Sequence, residues 1–270
     1  MGTLFVVGTP IGNLEDITLR AIRVLREVTL IAAEDTRHTR TLLAAHDIST
    51  QLVSFHEFSG TARVQRLVEQ LSSGDVALVS DAGMPGLSDP GYPLIRAALE
   101  AGHEVVPIPG PSAILSALVA SGLPMHAFTF HGFLPRKSGE RRRLLASMAE
   151  ATHSQIVFES PHRLVAALRE IVEVLGPDRP VAVARELTKK FEEIVRGTAA
   201  EALARFERQA PRGEITIAIG PSEDRRTQRD RGRDRRRWND AESSVADDDA
   251  DGDPDDEDDS SASEREPRRG

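Results

Sequence analysis

What most constrains this chain is an alternation. Short, uninterrupted apolar runs are separated by longer segments whose apolar positions recur at helical spacing. Leu4–Val7, Leu30–Ala33 and Val76–Val79 are the clearest runs, and Glu104–Pro107 is a fourth. A run that is apolar at every position suits a strand covered on both faces, as in a parallel sheet. Between the runs, Asp16-Ile17-Thr18-Leu19 opens a helix continued by Ile22 and Leu25. Thr36–Ala45, Ser59–Ser72, Pro93–Ala101 and Ser112–Ser121 carry the same helical period. This alternation predicts an α/β fold with a mostly parallel N-terminal sheet and helices on its faces.

A break falls at Gly122-Leu123-Pro124. Beyond it, strands are expected at Ala127–Phe130, Gln155–Phe158, Val181–Ala184, Ile194–Gly197 and Glu214–Ile219, and helices at Gly139–Glu150, His162–Leu175 and Ala199–Gln209. This set begins and ends on strands, which predicts a mixed C-terminal sheet. The expected organisation is an N-terminal α/β domain over 1–122, a C-terminal α/β domain over 123–220 and a disordered charged tail over 221–270. After Pro221 the only large apolar residues are Trp238 and Val245. They are too few to offset the entropy of ordering that segment.

The tail also explains the charge. The chain carries a formal net charge of −9, but residues 221–270 hold 11 basic and 18 acidic residues, a net of −7. The remaining body has a net of −2, so the acidity does not count against a nucleic-acid partner. There is no cysteine. That excludes disulfides, thiolate metal sites, iron–sulfur clusters and a cysteine nucleophile. The eight histidines are scattered, and no metal site is expected. No apolar run approaches the roughly 20 residues of a membrane span. The start lacks the basic region of a signal peptide. A cytoplasmic protein with no membrane partner is expected. There is no Walker A loop, and Gly8-Thr9-Pro10-Ile11-Gly12-Asn13 is not the dinucleotide fingerprint.

Four unusual loops follow expected strands: Gly8–Leu14, Ala33–Thr39, Ser80–Gly91 and Pro107–Ala113. Ligands of open α/β sheets bind outside the carboxyl ends of the strands, so the four loops are expected to line one cleft. Their Gly and Pro residues let backbone approach a ligand and hold a fixed shape. In the second half, Phe158–Arg163 and Ala184–Glu192 also follow strands and place charged side chains at strand ends.

The blocks VGTPIGNLEDITLRA, IAAEDTRHTRTLL, LVSDAGMPGLSDPGYPLI, PIPGPSAILSAL, GFLPRKSGERR, FESPHRL and ARELTKKFEE occur in that order. Together they resemble the tetrapyrrole-methylase superfamily, and within it the ribosomal RNA branch. The resemblance covers about residues 3–220. It implies two α/β domains with S-adenosylmethionine in the cleft between them, commonly in a homodimer. It also implies methyl transfer to the ribose 2'-oxygen of a decoding-centre cytidine, with 16S ribosomal RNA or the small ribosomal subunit as partner. The family's cofactor contacts map onto Pro10, Asp81, Ala82, Gly83, Met84, Ser112 and Ala113. Phe158 and Ala184 are expected to form the opposite wall. Two alternatives stay open. One is a porphyrin-precursor methyltransferase of the same superfamily, although Thr9-Pro10-Ile11-Gly12-Asn13-Leu14 departs from the GxGPGDP-type loop of such enzymes. The other is a non-catalytic RNA-binding module, against which the intact Ser80–Gly91 loop argues.

Methyl transfer to a hydroxyl requires in-line alignment and loss of the hydroxyl proton. Asp35, Glu159, His162, Glu186 and Lys189 are available, and spacing singles out none of them. Asp35, Arg37, Glu186 and Lys189 are expected around the acceptor ribose, the carboxylates for the hydroxyl and the cations for a phosphate. RNA contact is expected from Arg136, Lys137, Arg141, Arg142 and Arg143, extended by Arg163 and Arg185.

Overall fold

The computed structural model describes residues 2–222; what was expected of the tail beyond Ser222 lies outside the described residues. The first half runs β1 (Thr3–Val7), α1 (Leu19–Glu27), β2 (Leu30–Ala33), α2 (Thr36–Ala45), β3 (Leu52–Ser54), α3 (Thr61–Leu71), β4 (Val76–Val79), α4 (Tyr92–Glu100), β5 (Glu104–Ile108) and α5 (Ala113–Ser121). Its five strands are all parallel, in the order β3-β2-β4-β1-β5. Every residue of β2 and β4 is buried, which is why those strands read as continuous apolar runs. One face of the sheet packs Ile31, Ala77 and Ile108 with Leu25 and Leu43. The other packs Leu4 and Leu78 with Leu67, Leu71 and Leu94. The helix starts follow local chemistry. Thr18, Asp35 and Ser112 each accept a hydrogen bond from an amide of the turn they open. Strand β3 has no counterpart in the sequence reading, because three half-buried edge residues are too short to show a period.

The second half runs β6 (Phe128–Phe133), α6 (Ser138–Ser147), β7 (Ser154–Glu159), α7 (Leu164–Leu175), β8 (Pro180–Arg185), β9 (Glu193–Thr198), α8 (Ala199–Arg208) and β10 (Ile215–Ile219). The order is β6-β7-β10-β8-β9. β6 and β7 are parallel, whereas β10 lies antiparallel to both of its neighbours and β8–β9 form an antiparallel pair. The sheet is therefore mixed, as expected. Val157, Val183 and Ile217 face Leu168, Ile171 and Phe206 of the covering helices.

The opposite face of this sheet is covered by α5, whose Ile114 and Leu118 pack on Ile156, Ala182 and Ala218. Gly122 ends that helix at φ 74°, in the left-handed conformation glycine adopts without strain. The last helix of the first half is thus a layer of the second sheet, and the described residues form one compact unit. Among the described residues, no helix is long and apolar enough to cross a membrane.

Candidate active site

The loops beyond the first sheet are stitched to one another. Thr9 and Gly83 exchange two backbone hydrogen bonds of 2.9 and 3.1 Å, and the Thr9 hydroxyl donates to the Ser80 carbonyl at 3.1 Å. Gly8 lies so close to Gly110 that a β-carbon on either would clash with the other's backbone. The Asp35 amide donates to Asp81 Oδ1 at 3.0 Å, and the Asp81 amide donates to Glu34 Oε2 at 3.3 Å. All four loops anticipated from the sequence therefore meet at the carboxyl end of the sheet.

Three of them, the loops after β1, β4 and β5, face a cleft of about 340 Å³; the Ala33–Thr39 loop, expected to line it too, contributes none of its lining. One wall is formed by Ile11, Ala82, Gly83, Met84, Ser112 and Ala113, and the other by Phe158, Glu159 and the segment Gly213–Thr216. Phe158 is held edge-on by Phe130 and Phe133, with ring centroids 4.9 and 5.5 Å away. Six of the nine residues expected at the cofactor thus line the cleft. Pro10 and Asp81 do not. They border a separate hollow of about 30 Å³ with Leu14 and His38, and the Asp81 carboxylate is used to brace the Asp35 backbone. Ala184 is 2% exposed and packs beneath the cleft with Ile11, Ala117 and Leu187. A methyl side chain on a central strand is consumed by the core.

Several wall residues were not singled out in the sequence. Asp89 lies in the Ser80–Gly91 loop but carried no distinguishing spacing. Gly213–Thr216 was missed for a topological reason. In a parallel sheet the ligand-facing loops follow strands, but β10 is antiparallel and brings its beginning to the edge where β7 and β8 end. Glu214 could have been found only from that strand direction.

The expected catalytic residues form two separate pairs. Asp35, at the start of α2, is gripped by Arg37 through contacts of 2.8 and 3.2 Å. Those hydrogen bonds hold its carboxyl far below the ordinary range. Lys189 binds Glu186 at 3.0 Å and Glu214 at 3.1 Å, which ties the pair to the cleft wall. Burial works against the Glu186 carboxylate, but Lys189 and the Glu214 amide outweigh it and keep its pKa low. Two other carboxyls go the opposite way. Burial raises Glu159, opposed by the Ser160 amide and Arg163; its Oε1 accepts from the Ser160 amide at 2.6 Å, while its buried Oε2 has no hydrogen-bond partner among the described residues. Asp89 is pushed up to about 7 by burial first and then by the charges of Glu34, Asp81 and Glu214, with the Ser80 hydroxyl pulling the other way.

The basic residues divide as well. Arg141 is corrected from a phosphate contact to an interior residue. It is 6% exposed and makes a double contact with Glu170 at 2.6 and 2.7 Å. A guanidinium buried against a carboxylate cannot also reach RNA without leaving that carboxylate unpaired. Arg163 pairs with Glu159 at 2.5 Å, and Arg185 pairs with Glu193 at 3.2 Å while donating to the Arg212 carbonyl. Both are half-buried and committed inside the fold. Arg142 shares Glu173 at the surface, and Lys137 lies 3.3 Å from Glu140. Arg136 and Arg143 are exposed and have no carboxylate partner among the described residues.

Comparison with known proteins matches residues 3–203 to the family described as tetrapyrrole (corrin/porphyrin) methylases. The chain is 50% identical over 224 residues to a protein of Thermotoga maritima named ribosomal RNA small subunit methyltransferase I, covering 83% of this chain and all of that one. It is 48% identical over 220 residues to the protein of that name in Synechocystis, covering 81% and 79%. Among solved structures, uroporphyrin-III C-methyltransferase from Thermus thermophilus, complexed with S-adenosyl homocysteine, superposes with a TM-score of 0.56 at 21% identity, over 82% of this chain and 97% of that one. At that identity the likeness concerns the fold.

Proposed function

Because the chain belongs to the tetrapyrrole (corrin/porphyrin) methylase family, we propose that it transfers a methyl group from S-adenosylmethionine to 16S ribosomal RNA, at the ribose 2'-oxygen of a decoding-centre cytidine. The observation that carries the site assignment is a cleft on which three loops of the first sheet, those after β1, β4 and β5, and three strand ends of the second converge. Its contents fit the donor. Ile11, Met84 and Phe158 offer apolar surface for an adenine, and Asp89 and Glu214 offer negative charge to a cationic sulfonium and amine. The amides at the start of α5, beside Ser112 and Ala113, suit a carboxylate. Gly83, at φ 74°, allows the Ala82–Met84 backbone to turn against the ligand. When bound, the donor supplies a methyl group made electrophilic by its sulfonium.

The chain's residues do the rest. Asp35 and Arg37 on one side, and Glu186 and Lys189 on the other, orient the acceptor: their cations hold phosphate and their carboxylates hold the hydroxyl. Pro10 and Asp81 act from behind the donor wall, by keeping the loops in place. Arg136, Lys137, Arg142 and Arg143 form the outer basic surface. A homodimer belongs to the same reading. Leu115 and Val119, one turn apart on the outer face of α5, are 53% and 70% exposed, as expected of a surface that a second copy covers.

The test is methylation of small subunits from a strain lacking the enzyme, followed by mass mapping of the modified nucleotide. A 2'-O-methylcytidine at the decoding centre is the expected product. Methylation of a base, or of a porphyrin precursor in place of RNA, would overturn the assignment.

A further inference from the structure

A separate cavity of about 370 Å³ lies on the far side of the loop that precedes β10. Its walls are Arg185 at the end of β8, Glu193 at the start of β9, Arg205, Phe206 and Gln209 around the end of α8, and Arg212 in the loop itself. One carboxylate organises it. Glu193 Oε2 takes Arg185 at 3.2 Å, and Glu193 Oε1 takes Arg205 at 3.0 Å. Arg205 also donates to Gln209 Oε1 at 2.8 Å, and Arg185 donates to the Arg212 carbonyl at 3.3 Å.

Two guanidiniums on one carboxylate leave a positive charge uncompensated, and Arg212 adds another. Arg212 is exposed and has no carboxylate partner among the described residues. The carboxyl end of α8 attracts cations through its dipole, which accounts for Arg205 and Arg208. It does not account for Arg212, which lies beyond the helix, or for the hollow between these side chains. A concave site with excess positive charge on oriented guanidiniums suits an oxyanion, and the planar fork of arginine matches a phosphate.

The cavity's place ties it to the acceptor. The segment Arg212–Glu214 separates it from the Glu186–Lys189 pair. A β-carbon on Gly213 would collide with the Glu186 carboxyl, and the Glu214 amide donates to Glu186 Oε1 at 3.0 Å. An RNA strand with its acceptor ribose at Glu186 and Lys189 has this cavity one loop's width away.

We propose that the cavity takes a backbone phosphate of the RNA strand beside the acceptor nucleotide, with Arg205 and Arg212 as its ligands and Arg185 bracing the rim. This rests on the reading of the chain as an RNA methyltransferase and adds a grip separate from the Arg136–Arg143 surface. A phosphate held here sets the strand's register and carries no base information.

The experiment is filter binding of undermethylated small subunits to the full chain across a salt series, for wild type, Arg205→Ala, Arg212→Ala, Arg212→Lys and Glu193→Gln. Each alanine variant should bind about tenfold more weakly, with the slope of log affinity against log salt reduced by about one. Arg212→Lys should restore the slope. Glu193→Gln removes the carboxylate that competes with phosphate and should tighten binding. A cluster of ion pairs that only supports the fold would give the opposite sign there, weakening with Glu193→Gln as with Arg205→Ala, and that result would overturn the proposal. So would both alanine variants binding within twofold of wild type at every salt concentration. Binding of inorganic phosphate is followed in parallel by phosphorus-31 NMR. Its loss in Arg212→Ala with subunit binding intact would make the cavity a site for a free anion and likewise overturn the proposal. A wild-type enzyme that leaves subunits unmethylated would instead overturn the reading beneath it.

Discussion

Gly12 and Lys189 lie against each other, the first in the loop after β1 and the second in the loop after β8. A β-carbon on Gly12 would collide with the Lys189 stem. This contact joins the two sheets' loops beside the cleft and sets where the Lys189 ammonium can reach.

Gly12→Ala should therefore act through Lys189. The displaced stem would draw Nζ away from Glu186 Oε1 and Glu214 Oε2, now at 3.0 and 3.1 Å. Misplacing an orienting group by about 1 Å can cost as much as 10²-fold, so kcat/KM for small subunits should fall by about 10–100-fold. Donor affinity and melting temperature should stay near wild type, because the colliding group is a flexible side chain. Calorimetric titration of the donor checks this; a matching loss of donor affinity would mean that the whole loop had moved.

Glu34→Gln should shift the titration of Asp89. Burial is the largest cause of the raised Asp89 pKa, and the Glu34 charge is the next. Removing that charge eases ionisation of Asp89 and lowers its pKa. In carbon-13 NMR of the donor-free protein, the Asp89 carboxyl should therefore titrate at lower pH in the variant than in wild type. An unmoved Asp89 midpoint would count against the coupling.

Arg141→Ala should destabilise the fold. The Arg141 and Glu170 side chains are 7% and 11% exposed, and the substitution leaves Glu170 buried without its cation. Breaking one side of such a pair typically costs about 3–5 kcal/mol. Arg141 and Ser138 depress the Glu170 pKa in the folded state, against the opposing effect of burial. The pair's contribution is therefore complete above the unfolded-state carboxyl pKa and is lost as pH falls through the folded one. Urea unfolding at neutral and acidic pH measures both effects.

Arg136→Ala and Arg143→Ala should leave stability unchanged and weaken subunit binding. Each lost phosphate contact should lower the slope of log affinity against log salt by about one. Filter binding of small subunits across a salt series gives that slope. A steep slope that survives both substitutions would move the RNA surface elsewhere on the protein.

Much of the fold was legible before any coordinates. The buried runs of β2 and β4 and the capping residues Thr18, Asp35 and Ser112 are local signals, and local chemistry produced the elements they announce. The short edge strand β3 was not legible, because three residues carry no period. Within the site, the loops after β4 and β5 were legible because Gly, Pro and Ser after a buried strand mark a place for a ligand; the family resemblance pointed to Ala82, Gly83, Met84, Ser112 and Ala113 within them, and all five line the cleft.

The sequence by itself determined every strand but the short β3, where the loops after the buried strands fall and that a nearly neutral body precedes an acidic tail. Each of these depends on neighbours along the chain. Only the tertiary structure decided which charges are spent inside. Arg141 and Arg142 are adjacent in sequence, yet one is sealed against Glu170 and the other shares Glu173 at the surface. Nor could sequence place Glu214 opposite Asp89, since that depends on β10 running antiparallel between β7 and β8. Burial and the distance between charges depend on the folded contacts, and they decide whether a carboxyl is held low by an ion-pair partner, like Asp35, or pushed up by burial and neighbouring carboxylates, like Asp89.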